Sequence, residues 1–160
     1  MKEVNHSLQI VGMEGQTNIS NIELEELIEA NQSCEESFSQ ADSLSGIFYT
    51  GGTTGRSKGV MLTNANHVSN TLQFLSIIDM TADSTYLHAA PIFHIADALC
   101  VYMVTHIGGK HIFIPRFEPE SCAQAIQDHQ VTDILLVPTM IQMLLEQSGF
   151  GRFDFSSLQR

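Results

Sequence analysis

The sequence predicts an α/β fold, a mostly parallel sheet with flanking helices. Three observations carry that expectation. From Thr85 onward, short strand-like runs alternate regularly with helix-length segments. The alternation is punctuated by residues that open and close helices, Pro119 and Pro138 at starts and Gly108-Gly109 at an end. The chain has 160 residues, 43% apolar and 16% charged, which is enough to bury one sizeable core.

Taken in order, Leu8 to Val11 reads as the end of a strand. Ser20-Asn21-Ile22-Glu23 has capping-box spacing and predicts a helix to about Ala30. Residues 31–43 are polar, acidic and Ser-rich, with Cys34 and Phe38 the bulky apolar exceptions, and read as a surface loop. Leu44 to Tyr49 is mostly apolar and bounded by polar residues, as in a strand buried on both faces. Val60-Met61-Leu62 is a short strand-like run. Thr63 or Asn64 can then cap a helix that carries Val68, Leu72 and Leu75 on one face. Strands follow at Thr85–Ala89, His111–Ile114 and Thr132–Val137. Helices follow at Ile95–Ile107, from Pro119 to about His129, and from Pro138 to about Gln147. Strands separated by helices call for parallel pairing with right-handed crossovers. The closing stretch FDFSSLQR reads as a polar run with no further element, and no internal repeat is visible.

Seven Lys and Arg against 18 Asp and Glu give a net charge of −11. That balance argues against nucleic acid and against an anionic membrane surface as partners. The longest apolar stretches are short or interrupted by polar residues and proline, so no membrane span is expected. Cys34, Cys100 and Cys122 fit no zinc or redox spacing and read as thiols in a reducing compartment. The first residues lack the apolar core of a secretory leader. Together these point to a cytoplasmic protein.

Tyr49 to Val60 reads YTGGTTGRSKGV, dense in glycine and threonine and holding two of the chain's scarce cations. Three chemistries compete for it. The NTPase P-loop needs a Lys followed by Ser or Thr, whereas Lys58 is preceded by Ser57 and followed by Gly59. A hydrolase nucleophile elbow matches Gly55-Arg56-Ser57-Lys58-Gly59 formally, which would make Ser57 a nucleophile. An elbow runs straight from a strand into a helix. Here the strand ends near Thr50, and Val60-Met61-Leu62 separates Ser57 from the next helix cap. The third chemistry is a phosphate cradle. Gly51, Gly52 and Gly55 allow close backbone approach and N–H nests. Thr50, Thr53 and Thr54 bring hydroxyls, and Thr50 can give one oxygen to a magnesium ion. Lys58 brings a compact positive charge.

This stretch resembles the phosphate-loop signature of the adenylate-forming enzymes, which include acyl- and aryl-CoA synthetases, peptide-synthetase adenylation domains and beetle luciferases. It departs twice from the usual form, with Gly51 in place of Ser and Ser57 in place of Pro, and keeps Thr53, Thr54 and Lys58. The segment APIFHIAD, Ala90 to Asp97, is similar to a second family motif that ends in Phe-His. By that resemblance His94 borders the acyl and nucleotide pocket as a gate. Spacing alone allows a plainer role, a histidine satisfied at a helix start, for example by Asp97. The segments GGKHIFIPRFEPE and LLVPTMIQMLLE resemble fatty-acyl members of the family. The other histidines, His6, His67, His88, His106, His111 and His129, show no ligand spacing and read as scattered surface or core residues.

The resemblance implies a segment of the large N-terminal domain, over residues 1–160, of an ATP-dependent acyl-CoA synthetase. Such an enzyme joins a carboxylic acid, here a fatty acid, to AMP with release of pyrophosphate, then passes the acyl group to coenzyme A. It implies ATP, Mg2+ and coenzyme A as co-substrates. It places the phosphate contacts on Thr50, Gly51, Gly52, Thr53, Thr54, Gly55 and Lys58. The family's downstream glutamate motif, its ribose-binding aspartate and the C-terminal domain with its catalytic lysine are not among these residues. The isolated segment is therefore expected to be inactive, with the C-terminal part supplied by the same parent protein or by a separate chain. A non-catalytic nucleotide-binding remnant is the alternative.

Overall fold

The structure is a computed structural model and describes residues 11–12, 22–30, 38–51 and 57–160. The chain divides into two compact units, residues 1–38 and 39–160. In the first, β1 (Val11–Gly12) pairs in parallel with β2 (Ile22–Glu23), and α1 (Leu24–Ala30) follows directly. The helix thus starts later than the capping-box spacing predicts, because Ile22 and Glu23 are spent on strand pairing. Ser20, Leu8 and residues 31–37 of the expected loop lie outside the described residues. Residues 38–43 are exposed, as a surface loop requires.

The second unit opens with a hairpin. β3 (Leu44–Thr50) pairs antiparallel with β4 (Lys58–Thr63), from Leu44 opposite Thr63 to Thr50 opposite Lys58. Sequence predicted a strand buried on both faces. Instead Ile47, Tyr49 and Met61, which share one face, are 50%, 74% and 66% exposed, while Phe48 and Leu62 on the other face are half-buried. Gly59 is required where it stands, because a Cβ there would come within 2.7 Å of the Ile47 side chain. Thr63 then caps α2 (Asn64–Leu75) with a reciprocal box. Its hydroxyl accepts the Asn66 N–H, and the Asn66 side chain accepts the Thr63 N–H. The buried face of α2 is the expected one only at Leu75, which is half-buried against the core that α3 shares with Tyr86. His67 and Thr71 are buried, with the His67 ring stacked on Tyr102 at 4.4 Å between centroids, while Val68 and Leu72 are about half exposed.

The remaining elements form the predicted α/β layers. β5 (Thr85–His88) is central, with β6 (Lys110–Phe113) on one side and β7 (Asp133–Ile134) on the other, all parallel. α3 (Ile95–Ile107) connects β5 to β6 and packs Leu99, Cys100, Met103 and Val104 with Tyr86. α4 (Pro119–His129) connects β6 to β7 and, with α5 (Pro138–Glu146), packs Cys122, Ile126, Met140 and Leu144 with Leu87. Neighbouring residues of β5 therefore serve opposite cores, and the sheet is covered on both faces. Gly108 closes α3 in the left-handed conformation, as its sequence position predicts. β7 is only two residues long, shorter than the expected Thr132–Val137. The terminal polar run does have a place. Phe150, Phe153, Phe155 and Leu158 pack on the α4–α5 core, and the Ile134 N–H donates to the Arg160 carbonyl at 3.1 Å.

Candidate functional site

The glycine-rich loop is the connection of the hairpin. Thr50 and Lys58 are cross-strand partners at its mouth, and the Thr50 hydroxyl donates to the Lys58 carbonyl at 3.4 Å. Gly51 and Ser57, the next described residues on either side, are exposed. Gly52, Thr53, Thr54 and Gly55 lie outside the described residues. Lys58 joins none of the ion pairs among the described residues, in a chain with 18 Asp and Glu. Ser57 is followed by a strand, not a helix, so the strand–turn–helix of a nucleophile elbow is not formed.

The second motif occupies the turn between β5 and α3. His94 is exposed and is the N-cap of α3, its Nδ1 accepting the Ala96 N–H at 3.3 Å. His94 is thus satisfied at a helix start, as the plainer reading expects, but through the Ala96 N–H and not through Asp97. Phe93 beside it is 87% exposed. Across the turn, Ala90, Pro91 and Phe93 share a cleft of about 500 Å3 with Phe113, Ile114 and Arg116. It opens at the carboxyl ends of β5 and β6, where the chain leaves toward opposite faces of the sheet, the general location of ligand crevices in such folds.

Sequence reading missed a third feature, a polar row below that turn that is buried from Tyr86 to His88 and reaches the surface at Thr105. Asp97 has no exposed surface. Its Oδ1 accepts from the Tyr86 hydroxyl at 3.1 Å, and its Oδ2 lies 3.2 Å from His88 Nδ1. His88 Nε2 lies 2.9 Å from His111 Nδ1, and His111 Nε2 lies 3.2 Å from the Thr105 hydroxyl. Burial, then the neighbouring Cys100 and Asp97, push the Tyr86 hydroxyl far above its ordinary range. Two histidines described as scattered are thus neighbours. The available signal was Asp97 itself, an acid in the first turn of an otherwise apolar helix, with Tyr86 and His88 two apart on a strand.

A doubly wound parallel sheet, preceded by a hairpin that carries a glycine loop, defines an α/β protein of the kind the sequence resembles. A model of the AMP-binding enzyme family matches residues 2–160, and the chain belongs to that family. A feruloyl-CoA synthase from Amycolatopsis sp is 37% identical over 114 residues, covering 71% of this chain and 23% of that enzyme. A 2-succinylbenzoate–CoA ligase of Bacillus subtilis is 32% identical over 133 residues, covering 82% and 27%. Among solved structures, the N-terminal domain of FACL13 from Mycobacterium tuberculosis superposes with a TM-score of 0.73 at 25% identity, over 89% of this chain and 37% of that one. MenE of Bacillus subtilis in complex with ATP and magnesium gives 0.72 at 28% identity, over 89% and 30%. The fold is part of the adenylate-forming N-terminal domain, and the chain spans about a quarter of the length of the curated relatives it matches. No helix among the described residues is long and apolar enough to cross a membrane.

Proposed function

We propose that the chain is a segment of an AMP-forming acid–thiol ligase, and that its hairpin loop holds the pyrophosphate half of ATP. The carrying observation is the Thr50–Lys58 pair. It fixes a hydroxyl and an ammonium-bearing residue side by side at the mouth of a glycine loop. The fit is chemical. The Thr50 oxygen gives its proton to a carbonyl and keeps its lone pairs for Mg2+, and Lys58 is committed to no carboxylate among the described residues. Thr53, Thr54 and the N–H groups of Gly51, Gly52 and Gly55 complete the cradle, by the family resemblance. The acid would be activated as its adenylate and passed to coenzyme A. Relatives named for feruloyl and succinylbenzoyl thioesters widen the acid from the fatty-acyl class read in the sequence to carboxylic acids that include aromatic ones.

Catalysis at the α-phosphorus needs several groups positioned together, so residues 1–160 alone are expected to bind nucleotide weakly and to turn over nothing. The decisive measurement is pyrophosphate exchange by the full-length enzyme, alongside AMP binding, with Lys58→Ala. Removing one charge-assisted contact, about 1.5–3 kcal/mol, should slow exchange roughly ten- to a hundredfold and leave AMP affinity nearly unchanged. Equal loss in both assays would show that the loop does not act on pyrophosphate. ATP binding without any exchange in the full-length protein would favour a non-catalytic nucleotide binder.

A further inference from the structure

The row Tyr86–Asp97–His88–His111–Thr105 is left unused by this reading, yet it spans the base of the His94 turn. His88 ends β5 and Asp97 sits in the first turn of α3, and both side chains are fully buried. Whatever holds these two together also holds the residues between them. His111, on β6, is only half-buried and is the end of the row that a solvent proton can reach.

The distances restrict where protons can sit. In one arrangement the Thr105 hydroxyl donates to His111 Nε2, His111 Nδ1–H donates to His88 Nε2, and His88 Nδ1–H donates to Asp97. Add one proton and a single rearrangement keeps every contact. His88 then carries both ring protons, His111 accepts at Nδ1, and His111 Nε2–H donates to the Thr105 oxygen. A second added proton would set N–H against N–H across 2.9 Å. The row therefore holds one extra proton and not two. Its gain turns a carboxylate–imidazole contact into an ion pair in a setting of low dielectric, which strengthens it.

We infer that His88, Asp97 and His111 form a one-proton clasp that positions the Pro91–His94 turn, with His111 as the port and His88 as the seat of the proton. Single occupancy agrees with the environment of His111, whose basicity is lowered first by burial and then by the charge of His88. The other groups facing the row are accounted for. Cys100 of α3 lies against Tyr86. Phe113 of β6 covers the His88 ring at 4.5 Å between centroids. Asp133 of β7, opposite Tyr86, is paired with Arg160.

That the positioned turn serves substrate rests on the proposed function, but the clasp is testable without it. Imidazole and amide 15N NMR of the chain between about pH 5 and 8 should show His88 passing from the Nδ1–H tautomer to the doubly protonated ring while His111 stays uncharged. The Phe93 and His94 amide signals should move at the same midpoint. His111→Gln keeps a hydrogen-bonding side chain and should displace that midpoint. Asp97→Asn should abolish the amide response, with melting curves confirming that both variants are folded. Independent titration of the two histidines, or turn amides that ignore the midpoint, would overturn the clasp. In the full-length enzyme the KM for the acid should follow the midpoint while kcat does not. A KM blind to it, with the NMR response intact, would overturn only the link to substrate.

Discussion

Arg160 donates from Nε to the Asp133 Oδ1 at 2.5 Å, tying the last residue of the chain to the shortest strand of the sheet. Asp133 is 2% exposed and takes a second hydrogen bond from the Thr132 hydroxyl at 2.6 Å. The Arg160 backbone also bonds to Thr132 and Ile134, so the terminal segment lines the side of β7 away from β5. Arg160→Ala would leave a buried carboxylate with one neutral partner. We expect a loss of about 1–3 kcal/mol in urea unfolding, largely recovered by adding Asp133→Asn. A midpoint that does not move would show that the tail contributes nothing to β7.

The cap of α2 offers a smaller and cleaner change. Thr63 satisfies the Asn66 N–H and has its own N–H satisfied in return. Thr63→Ala should cost about 0.5–2 kcal/mol, and Thr63→Ser should restore most of it. Thermal melting of the pair decides the matter, since a serine as unstable as alanine would exclude the hydroxyl as the cause.

Much of this architecture was legible, and the misses have physical reasons. α3 ends and the proline-opened α4 begins where the sequence places them, because Gly108 and Pro119 act locally. α2 was assigned its apolar side as its buried side, but packing on α3 selects the His67–Thr71 side through the Tyr102 ring. Val68 and Leu72 are left open, like the face of the hairpin that carries Ile47, Tyr49 and Met61. Their pattern encodes a burial that the described residues do not supply. The glycine loop was legible as a motif but not as the connection of a hairpin, since Thr50 meets Lys58 only through antiparallel register. The His88–His111 contact was illegible because 22 residues and a whole helix separate two strands that pair side by side.

Those open faces carry their own prediction. Ile47, Tyr49 and Met61 lie on a short hairpin, and an exposed apolar edge invites association. Expressed alone, the chain should self-associate with rising concentration in sedimentation velocity, and Tyr49→Lys with Met61→Lys should reduce that association. A wild-type chain that stays monomeric at every concentration would contradict the prediction.

Cys122 has no exposed surface, and burial pushes its thiol up to about 11 from an ordinary 9.0. Only the thiolate reacts, so alkylation of the folded protein at pH 8 should run roughly a hundredfold slower than that of a thiol in unfolded chain. The same shift has a sign for stability. The folded state holds this proton longer than the unfolded state does. The Cys122 contribution is therefore fully present below about pH 9 and is lost as pH rises toward about 11. Urea midpoints should fall more steeply over that window in wild type than in Cys122→Ala. Parallel profiles would show that the thiol does not titrate late.

His94 is where the two readings of this site part most sharply. Its Nδ1 caps α3 through the Ala96 N–H, and the ring is exposed beside Phe93. If the ring is only a cap, His94→Phe and His94→Ala lose the same hydrogen bond, about 0.5–1.5 kcal/mol, and show equally mild kinetics. If it walls the acid from the nucleotide, aromatic bulk matters beyond the cap. His94→Phe should then keep most of the acyl-adenylate formation in the full-length enzyme, while His94→Ala loses clearly more at the same melting temperature. No proton transfer is assigned to the ring, so the pH profile should survive the Phe change. His94→Asn separates the two contributions, because it can cap the helix without filling the wall. It should melt like wild type and react like Ala. An Asn variant as active as wild type would remove His94 from the pocket and leave it a helix cap.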